Sequence, residues 1–342
     1  MMESDYIAVK LLTKGSDSHS EAAPFLNHFP KKNPTWGRCR FVSAQAKEYD
    51  WLVIYDDTHR PFAIDCPKGN SLLVTVEPSS IKIYESAYLK QFGYVLSGQE
   101  DWALRHKGKI HAQPALLWHY DHKLDYDAIA SRKDFKKTKC ISTVCSAKQQ
   151  RHTEHQQRYH FTKQAQQALS ELDWYGRGVR SIDEKSQALD AYRYHIAIEN
   201  HACPHWWTEK LADAFLGQAL PFYYGASNLS EYFPEESYIA IDINRPEEAI
   251  RIIKDAIRND EYNKRLPHLK EARRRILEDY NLFATLARII ESKQAYSAEP
   301  EYPWIFENRH TVRKTFPNLI PCLYEKIRGK ILTQINRHSH HH

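Results

Sequence analysis

A chain of 342 residues, 42% hydrophobic and 27% charged, holds enough apolar material for a sizeable core in each of two ordinary domains. Its formal charge of +5, from 48 basic and 43 acidic side chains, suits a phosphate-bearing ligand and lacks the concentrated Lys/Arg stripe of a nucleic-acid binder. Six cysteines with no C-x-x-C spacing argue against a disulfide framework and for a reducing compartment.

Tyr6 to Leu12 reads as a strand, Arg40 to Val42 as a weaker one, and Asp50 to Tyr55 as a strong one ending in Asp56-Asp57. Ser71 to Val76 is another, ending at Glu77-Pro78. A helical stretch around Tyr84 to Gln91 precedes a strand at Tyr94 to Leu96. Near-continuous apolar strands separated by crossover-length segments predict a parallel sheet covered on both faces. From 113 to 138 the pattern breaks, and the segment reads as a connection between two domains. Its basic run, Lys133, Lys136, Lys137 and Lys139, reads as a short solvated loop.

The alternation then restarts. Lys139 to Cys145 is a strand, Arg158 to Leu172 a helix, and Leu172 to Tyr175 a strand leading into Gly176-Arg177-Gly178, which reads as a turn. Tyr194 to Ile198 is a strand, Thr208 caps a helix reaching Leu216, and Ala219 to Tyr224 is a strand stopped by Gly225. Tyr238 to Ile243 is a further strand. Pro246 opens a helix to about Arg258, and two more helices cover roughly 260–279 and 281–293. The expected fold class is α/β, with two Rossmann-like domains facing a cleft. The domains are 1–125 and 139–295, followed by a helical tail at 296–342 whose last histidines read partly as a tag.

That tail carries Leu323, Ile327, Ile331 and Ile335 at helical spacing beside Lys326, Arg328, Lys330 and Arg337. Two readings stand open: attachment to an anionic membrane surface, or packing back on the N-terminal domain. Met1 to Asp5 shows no signal-peptide character, and no run of about 18 apolar residues occurs. The expectation is a cytoplasmic protein, peripheral to a membrane at most.

Ligands of open α/β sheets sit beyond the carboxyl ends of strands, which singles out Asp56-Asp57, Glu77-Pro78 and Glu199-Asn200. After Glu199-Asn200, seven residues lead to Thr208-Glu209-Lys210 at a helix start. Such a helix end offers unpaired N–H groups and a partial positive charge to a diphosphate, and Lys210 adds a full charge. Glu209 can accept from sugar hydroxyls. Alone, the same triplet is an ordinary capped helix on a solvated face. His201, Cys203 and His205 alternate but lack an evident fourth metal ligand, and no metal site is expected. His152, His155 and His160 read as exposed helix residues.

The ordered text Ile198-Glu199-Asn200, Trp206-Trp207-Thr208-Glu209-Lys210, Leu220 to Gly225, Asn228-Leu229, Tyr232-Phe233-Pro234 and Ser237-Tyr238-Ile239 resembles glycosyltransferase family 10, the α-1,3/4-fucosyltransferases. The match is specific over about 50 residues, extends more weakly back to about residue 139, and is faint in the N-terminal half. The resemblance implies a GT-B architecture, an N-terminal acceptor domain, a C-terminal donor domain, and inverting transfer from GDP-fucose to a glycan hydroxyl without a required cofactor. It implies a donor site of Arg158, Glu199, Asn200, Trp206, Thr208, Glu209 and Lys210, with Arg151 the second choice for the family's helix-start arginine. Lys210 and Arg158 would neutralise the diphosphate. Glu209 would hold ribose or fucose hydroxyls, Asn200 would contact the donor sugar, and Trp206 stands where the family has a donor-binding aromatic residue.

Glu77 resembles the family's Glu-Ser-Pro base, although here Pro78 follows the glutamate directly. As a bare strand-end carboxylate it reads equally as a cap of the next helix. Asp56 and Asp57 are the alternative base, or an Asp-Asp metal pair. The expected partners are a nucleotide sugar and a glycan acceptor such as lipopolysaccharide or capsule. Two rivals remain open: the same fold with another nucleotide sugar, and a non-catalytic sugar-nucleotide or glycan binder.

Overall fold

The computed structural model describes residues 6–15, 25–148, 154–293 and 304–339. The chain forms two compact units, Met1–Ala115 with Leu282–His342, and Leu116–Asn281.

The first unit opens with β1 (Ile7–Leu12), β2 (Thr35–Trp36), β3 (Cys39–Val42), β4 (Trp51–Tyr55), β5 (Phe62–Ile64), β6 (Ser71–Val74), α1 (Ser86–Leu89), β7 (Tyr94–Ser97) and β8 (Lys109–His111). Seven of these strands form one sheet in the order β2-β3-β1-β4-β6-β7-β8, parallel except where β2 meets β3. The continuous apolar run of β4 is explained by burial on both faces: Trp51, Leu52, Val53 and Ile54 are all sealed from solvent.

The second unit holds α2 (Tyr126–Ser131), β9 (Lys139–Val144), α3 (His155–Ala168), β10 (Leu172–Tyr175), β11 (Tyr192–Ile198), α4 (Glu209–Leu216), β12 (Leu220–Tyr224), β13 (Ile239–Ala240), α5 (Pro246–Arg258) and α6 (Glu261–Glu278). Its sheet is wholly parallel, in the order β10-β9-β11-β12-β13. The chain winds outward from β9 in both directions, so a topological switch point lies between the carboxyl ends of β9 and β11. The same reversal occurs at β1 in the first unit.

The chain then returns to the first unit through α7 (Leu282–Lys293), β14 (Trp304–Phe306), α8 (Arg309–Lys314) and α9 (Leu319–Ser339). This division differs from the expected boundaries of 1–125, 139–295 and 296–342, because apolar contacts draw the C-terminal part back. Phe283 of α7 packs on Phe29 and Phe41 with ring centroids 3.8 and 4.8 Å apart, and β14 pairs antiparallel with β5. Arg309 and Arg313 of α8 close on the buried carboxylate of Glu85.

The segment read as a connection belongs to the second unit from Leu116 onward. Trp118, Tyr120 and Ile129 are buried there, and the Tyr120 hydroxyl bonds Asp190 at 2.5 Å. Nor is Lys137 a free loop cation. Its ammonium donates to the carbonyls of Leu189 (3.1 Å) and Gly217 (2.6 Å), and burial pulls its pKa down to about 7.

Candidate donor-binding site

The second unit contains a cavity of about 260 Å³ beyond the carboxyl ends of β9 and β11, where Val144, Ser146, Ile198 and Asn200 line it. This is the switch point that its topology dictates. Five cationic side chains line the cavity, Lys148, Arg158, Arg177, Lys185 and Lys210, against two carboxylates, Glu209 and Asp213. The balance favours an anion.

The first turn of α3 reaches this space with His155 and Arg158. The N-cap residue of α3, Glu154, makes no side-chain capping bond, so the helix end keeps donors for a ligand. Arg158 is only 6% exposed. Its Nη1 donates to Asn200 Oδ1 at 2.6 Å and to the Ile198 carbonyl at 3.4 Å, while its buried Nε has no partner. These are an amide and a carbonyl, not carboxylates, so the guanidinium charge stays uncompensated by them. A buried cation with a free donor beside an open cavity is an arrangement that an anionic ligand completes.

The second wall comes from α4. Glu199, fully buried at the end of β11, accepts the Thr208 N–H at 2.8 Å and the Thr208 hydroxyl at 2.7 Å. Thr208 in turn caps α4 by accepting from the Lys210 N–H. The Lys210 ammonium lies 3.3 Å from Glu199, 2.9 Å from Glu209 and 3.1 Å from the Thr208 hydroxyl. Burial opposes charge on all three ionisable groups. Around Lys210, the glutamates overcome burial and the repulsion from Arg158, so its pKa is raised and it stays charged. Burial alone would raise the Glu209 carboxyl, but Lys210 and Lys185 hold it below the ordinary carboxylate range. For Glu199 burial prevails over Lys210 and Thr208, and its pKa is raised.

Of the sequence-predicted residues, Arg158, Asn200, Glu209 and Lys210 meet at the cavity. Glu199 and Thr208 do not line it; they hold the residues that do. Trp206 is buried at 2% exposure and also lies off the lining, as does its neighbour Trp207, whose ring packs among Tyr232, Phe233 and Tyr280. His205 is committed to Asn228 (2.7 Å from its N–H) and to the Tyr232 hydroxyl (2.5 Å from Nδ1). The Asn228 and Tyr232-Phe233 text therefore secures the loop between Asn200 and Thr208. Gly225 serves the same end: a Cβ there would sit 2.6 Å from Glu199 Cγ and 2.3 Å from the Tyr223 hydroxyl.

Gly176 and Arg177 form the expected turn and also line the cavity. Gly176 has φ +144°, and a Cβ there would meet the Cys145 carbonyl at 2.3 Å. His155, expected to be exposed, is buried against the cavity because the first turn of α3 faces it; His160 is exposed as expected. Arg151 and His152 lie outside the described residues. Sequence reading missed Lys148, Lys185, His195 and Asp213. Lys185 and Asp213 pair at 2.6 Å across 28 residues of chain, a convergence with no local signature.

In the first unit, Glu77 follows β6 and is half-buried, and its carbonyl accepts from Gln99 Nε2 at 2.7 Å. No helix starts directly after it: Ile81 and Lys82 close a turn on the Pro78 carbonyl, and α1 begins only at Ser86. Asp56 and Asp57 are committed within their own unit. Asp56 binds the Lys82 ammonium and the Tyr84 hydroxyl (2.6 Å), and Asp57 accepts from the N–H groups of Thr58 (3.0 Å) and Arg309 (3.2 Å).

Residues 135–270 match the family described as glycosyltransferase family 10 (fucosyltransferase), C-terminal part. An alpha-(1,4)-fucosyltransferase of Arabidopsis thaliana is 36% identical over 70 residues, 20% of this chain and 16% of the relative. The alpha-(1,3)-fucosyltransferase FucT of Helicobacter pylori is 28% identical over 75 residues, 22% of this chain and 16% of the relative. The chain thus spans only 16% of the length of these curated relatives. A crystal structure of an alpha1,3-fucosyltransferase superposes with TM-score 0.53 at 14% identity, covering 89% of this chain and 94% of that one. One of an alpha1,3-fucosyltransferase with GDP gives 0.51 at 15% identity, covering 88% and 95%. The likeness shows the fold, a GT-B type with two Rossmann-like units.

Proposed function

We propose that this protein, whose residues 135–270 match glycosyltransferase family 10, transfers fucose from GDP-fucose to a hydroxyl of a glycan acceptor, with inversion at the anomeric carbon. The observation that carries the reading is the pair of helix starts converging on one cavity, with Arg158 buried and short of a partner and Lys210 held charged. In the reaction the acceptor oxygen bonds to the anomeric carbon as the bond from that carbon to the diphosphate breaks. The electron pair leaves on the diphosphate, and fixed cations at Arg158 and Lys210 stabilise the charge that develops there. Fixed side-chain cations supply this compensation without calling on a metal. Asn200 and Glu209 take donor hydroxyls. The acceptor proton goes to Glu77, the carboxylate that follows β6.

The test is turnover of GDP-fucose with a panel of oligosaccharide acceptors, with the product anomer read by NMR. Acceptor-dependent GDP release with inverted configuration is expected, and Glu77→Gln should lower kcat by about 100-fold or more while leaving donor affinity in place. A retained configuration contradicts the mechanism. Full turnover in the variant contradicts the base assignment. Consumption of a different nucleotide sugar would replace the donor.

We propose also that the protein works at a cytoplasmic membrane face on lipid-linked or surface glycans such as lipopolysaccharide. No helix among the described residues is long and apolar enough to cross a membrane. Support comes from α9, whose Ile320, Leu323, Tyr324, Ile327, Ile331 and Ile335 are all at least half exposed, beside the exposed cations Lys326, Arg328 and Lys330. The opposite face of α9 packs in the first unit: Cys322 is buried, Glu325 accepts the Ser86 N–H at 2.9 Å, and Gly329 lies against Ile83.

A further inference from the structure

His195 lies on β11 and lines the cavity, yet its ring is nearly sealed at 5% exposure. Its Nδ1 is 2.9 Å from the Ser142 hydroxyl, and that hydroxyl is also 2.5 Å from the Ala188 carbonyl. A carbonyl only accepts, so the single hydroxyl proton of Ser142 goes to Ala188. Nδ1 must then carry a proton and donate it to Ser142, which leaves Nε2 as a bare lone pair. Burial, with the charges of Lys185 and Lys137 added, drops the pKa of the ring to about 3, so the ring stays neutral at working pH. No protein hydrogen bond reaches Nε2 among the described residues.

A lone pair repels the oxygens of a diphosphate, which are acceptors only. The cavity therefore offers two kinds of partner. Arg158 and Lys210, which feel each other's charge, suit the diphosphate. His195, beside the Lys185 that is paired with Asp213, suits a donor group instead. The sugar to be transferred must remain open to an acceptor and cannot be the part pressed on a sealed floor.

We infer that His195 is a specificity-determining residue whose Nε2 accepts a hydrogen bond from an N–H or O–H of the donor's nucleoside, so fixing the ligand with its diphosphate toward Arg158 and Lys210. The inference rests on the donor-site reading above and adds the orientation of the ligand. Ser142 is the positioning residue that sets the tautomer.

The experiment is isothermal titration of the full chain with GDP and, separately, with inorganic pyrophosphate. His195→Phe keeps the ring volume and removes the acceptor, and His195→Gln returns an oxygen near the place of Nε2. The expected result is GDP binding weakened about ten-fold in His195→Phe, with pyrophosphate unaffected and most of the loss recovered in His195→Gln. An equal loss for GDP and pyrophosphate, or no loss for either, overturns the role of His195 while leaving the donor site standing. If the wild-type protein binds neither probe, the donor-site reading fails and this inference falls with it.

Discussion

At the scale of single residues, Glu199 shows how a motif can be functional without touching a ligand. It is fully buried, pins Thr208 through two hydrogen bonds, and lies 3.3 Å from the Lys210 ammonium. Glu199→Ala should destabilise the second unit by about 3 kcal/mol, because it removes both bonds that hold Thr208 and leaves the Lys210 ammonium with Glu209 as its remaining carboxylate. Urea denaturation checks this, and a change under about 0.5 kcal/mol would contradict it. His195 gives a pH signature with a definite sign. Its ring titrates at about 3 in the fold against 6.5 for the free group. Between those values the unfolded chain holds the proton and the fold does not, so this contribution is intact above about pH 6.5 and is lost as pH falls toward 3. His195→Phe should flatten the fall of the urea midpoint between about pH 6 and pH 4; an unchanged slope contradicts a neutral buried ring. Glu199-Asn200 and Thr208-Glu209-Lys210 were legible in the sequence because a strand end and a capped helix start are local signals. Lys185, Asp213 and His195 were not, because side chains far apart in the chain meet there only through the fold. Trp206 read as a binding aromatic, yet its ring is buried off the cavity lining.

The elements explain why the loop between β11 and α4 needs residues that follow it. Asn228 and Tyr232 hold His205, the rings of Phe233 and Tyr280 close on Trp207, and Gly225 leaves room for Glu199. Gly225→Ala should therefore push Glu199 off Thr208 and weaken GDP binding by about ten-fold, at a stability cost of about 1–3 kcal/mol. Calorimetry with GDP checks it, and unchanged affinity would show that the β12 turn does not support the site. The long buried strands β1, β4, β9 and β11 were readable from apolar runs. The two- and three-residue strands β2, β5, β8 and β14 were not, since such lengths carry no periodicity. Pairing of β14 with β5 joins residues about 240 positions apart, as in Trp304 with Ile64. The expected strand at Tyr238 to Ile243 shrinks to the two residues of β13.

Across the whole molecule, two doubly wound units were legible from repeated β/α alternation, but the return of the chain was not. The apolar residues of α7 look alike whichever core they enter, and only tertiary packing of Phe283 against Phe29 and Phe41 decides. The tail is a matter for this scale too. Its exposed stripe on α9 predicts sedimentation with anionic vesicles, lost on truncation after Pro317 and weakened by salt. Equal sedimentation of the truncated protein would remove the membrane reading and leave the donor site untouched.

The central claim is that the cavity beyond β9 and β11 holds a nucleotide diphosphate sugar between Arg158 and Lys210. The most direct test is calorimetric titration of GDP-fucose into the wild-type protein, Arg158→Ala and Lys210→Ala. Binding by the wild type, weakened at least about ten-fold in each variant, is the predicted result. Wild-type affinity retained in both variants would contradict it.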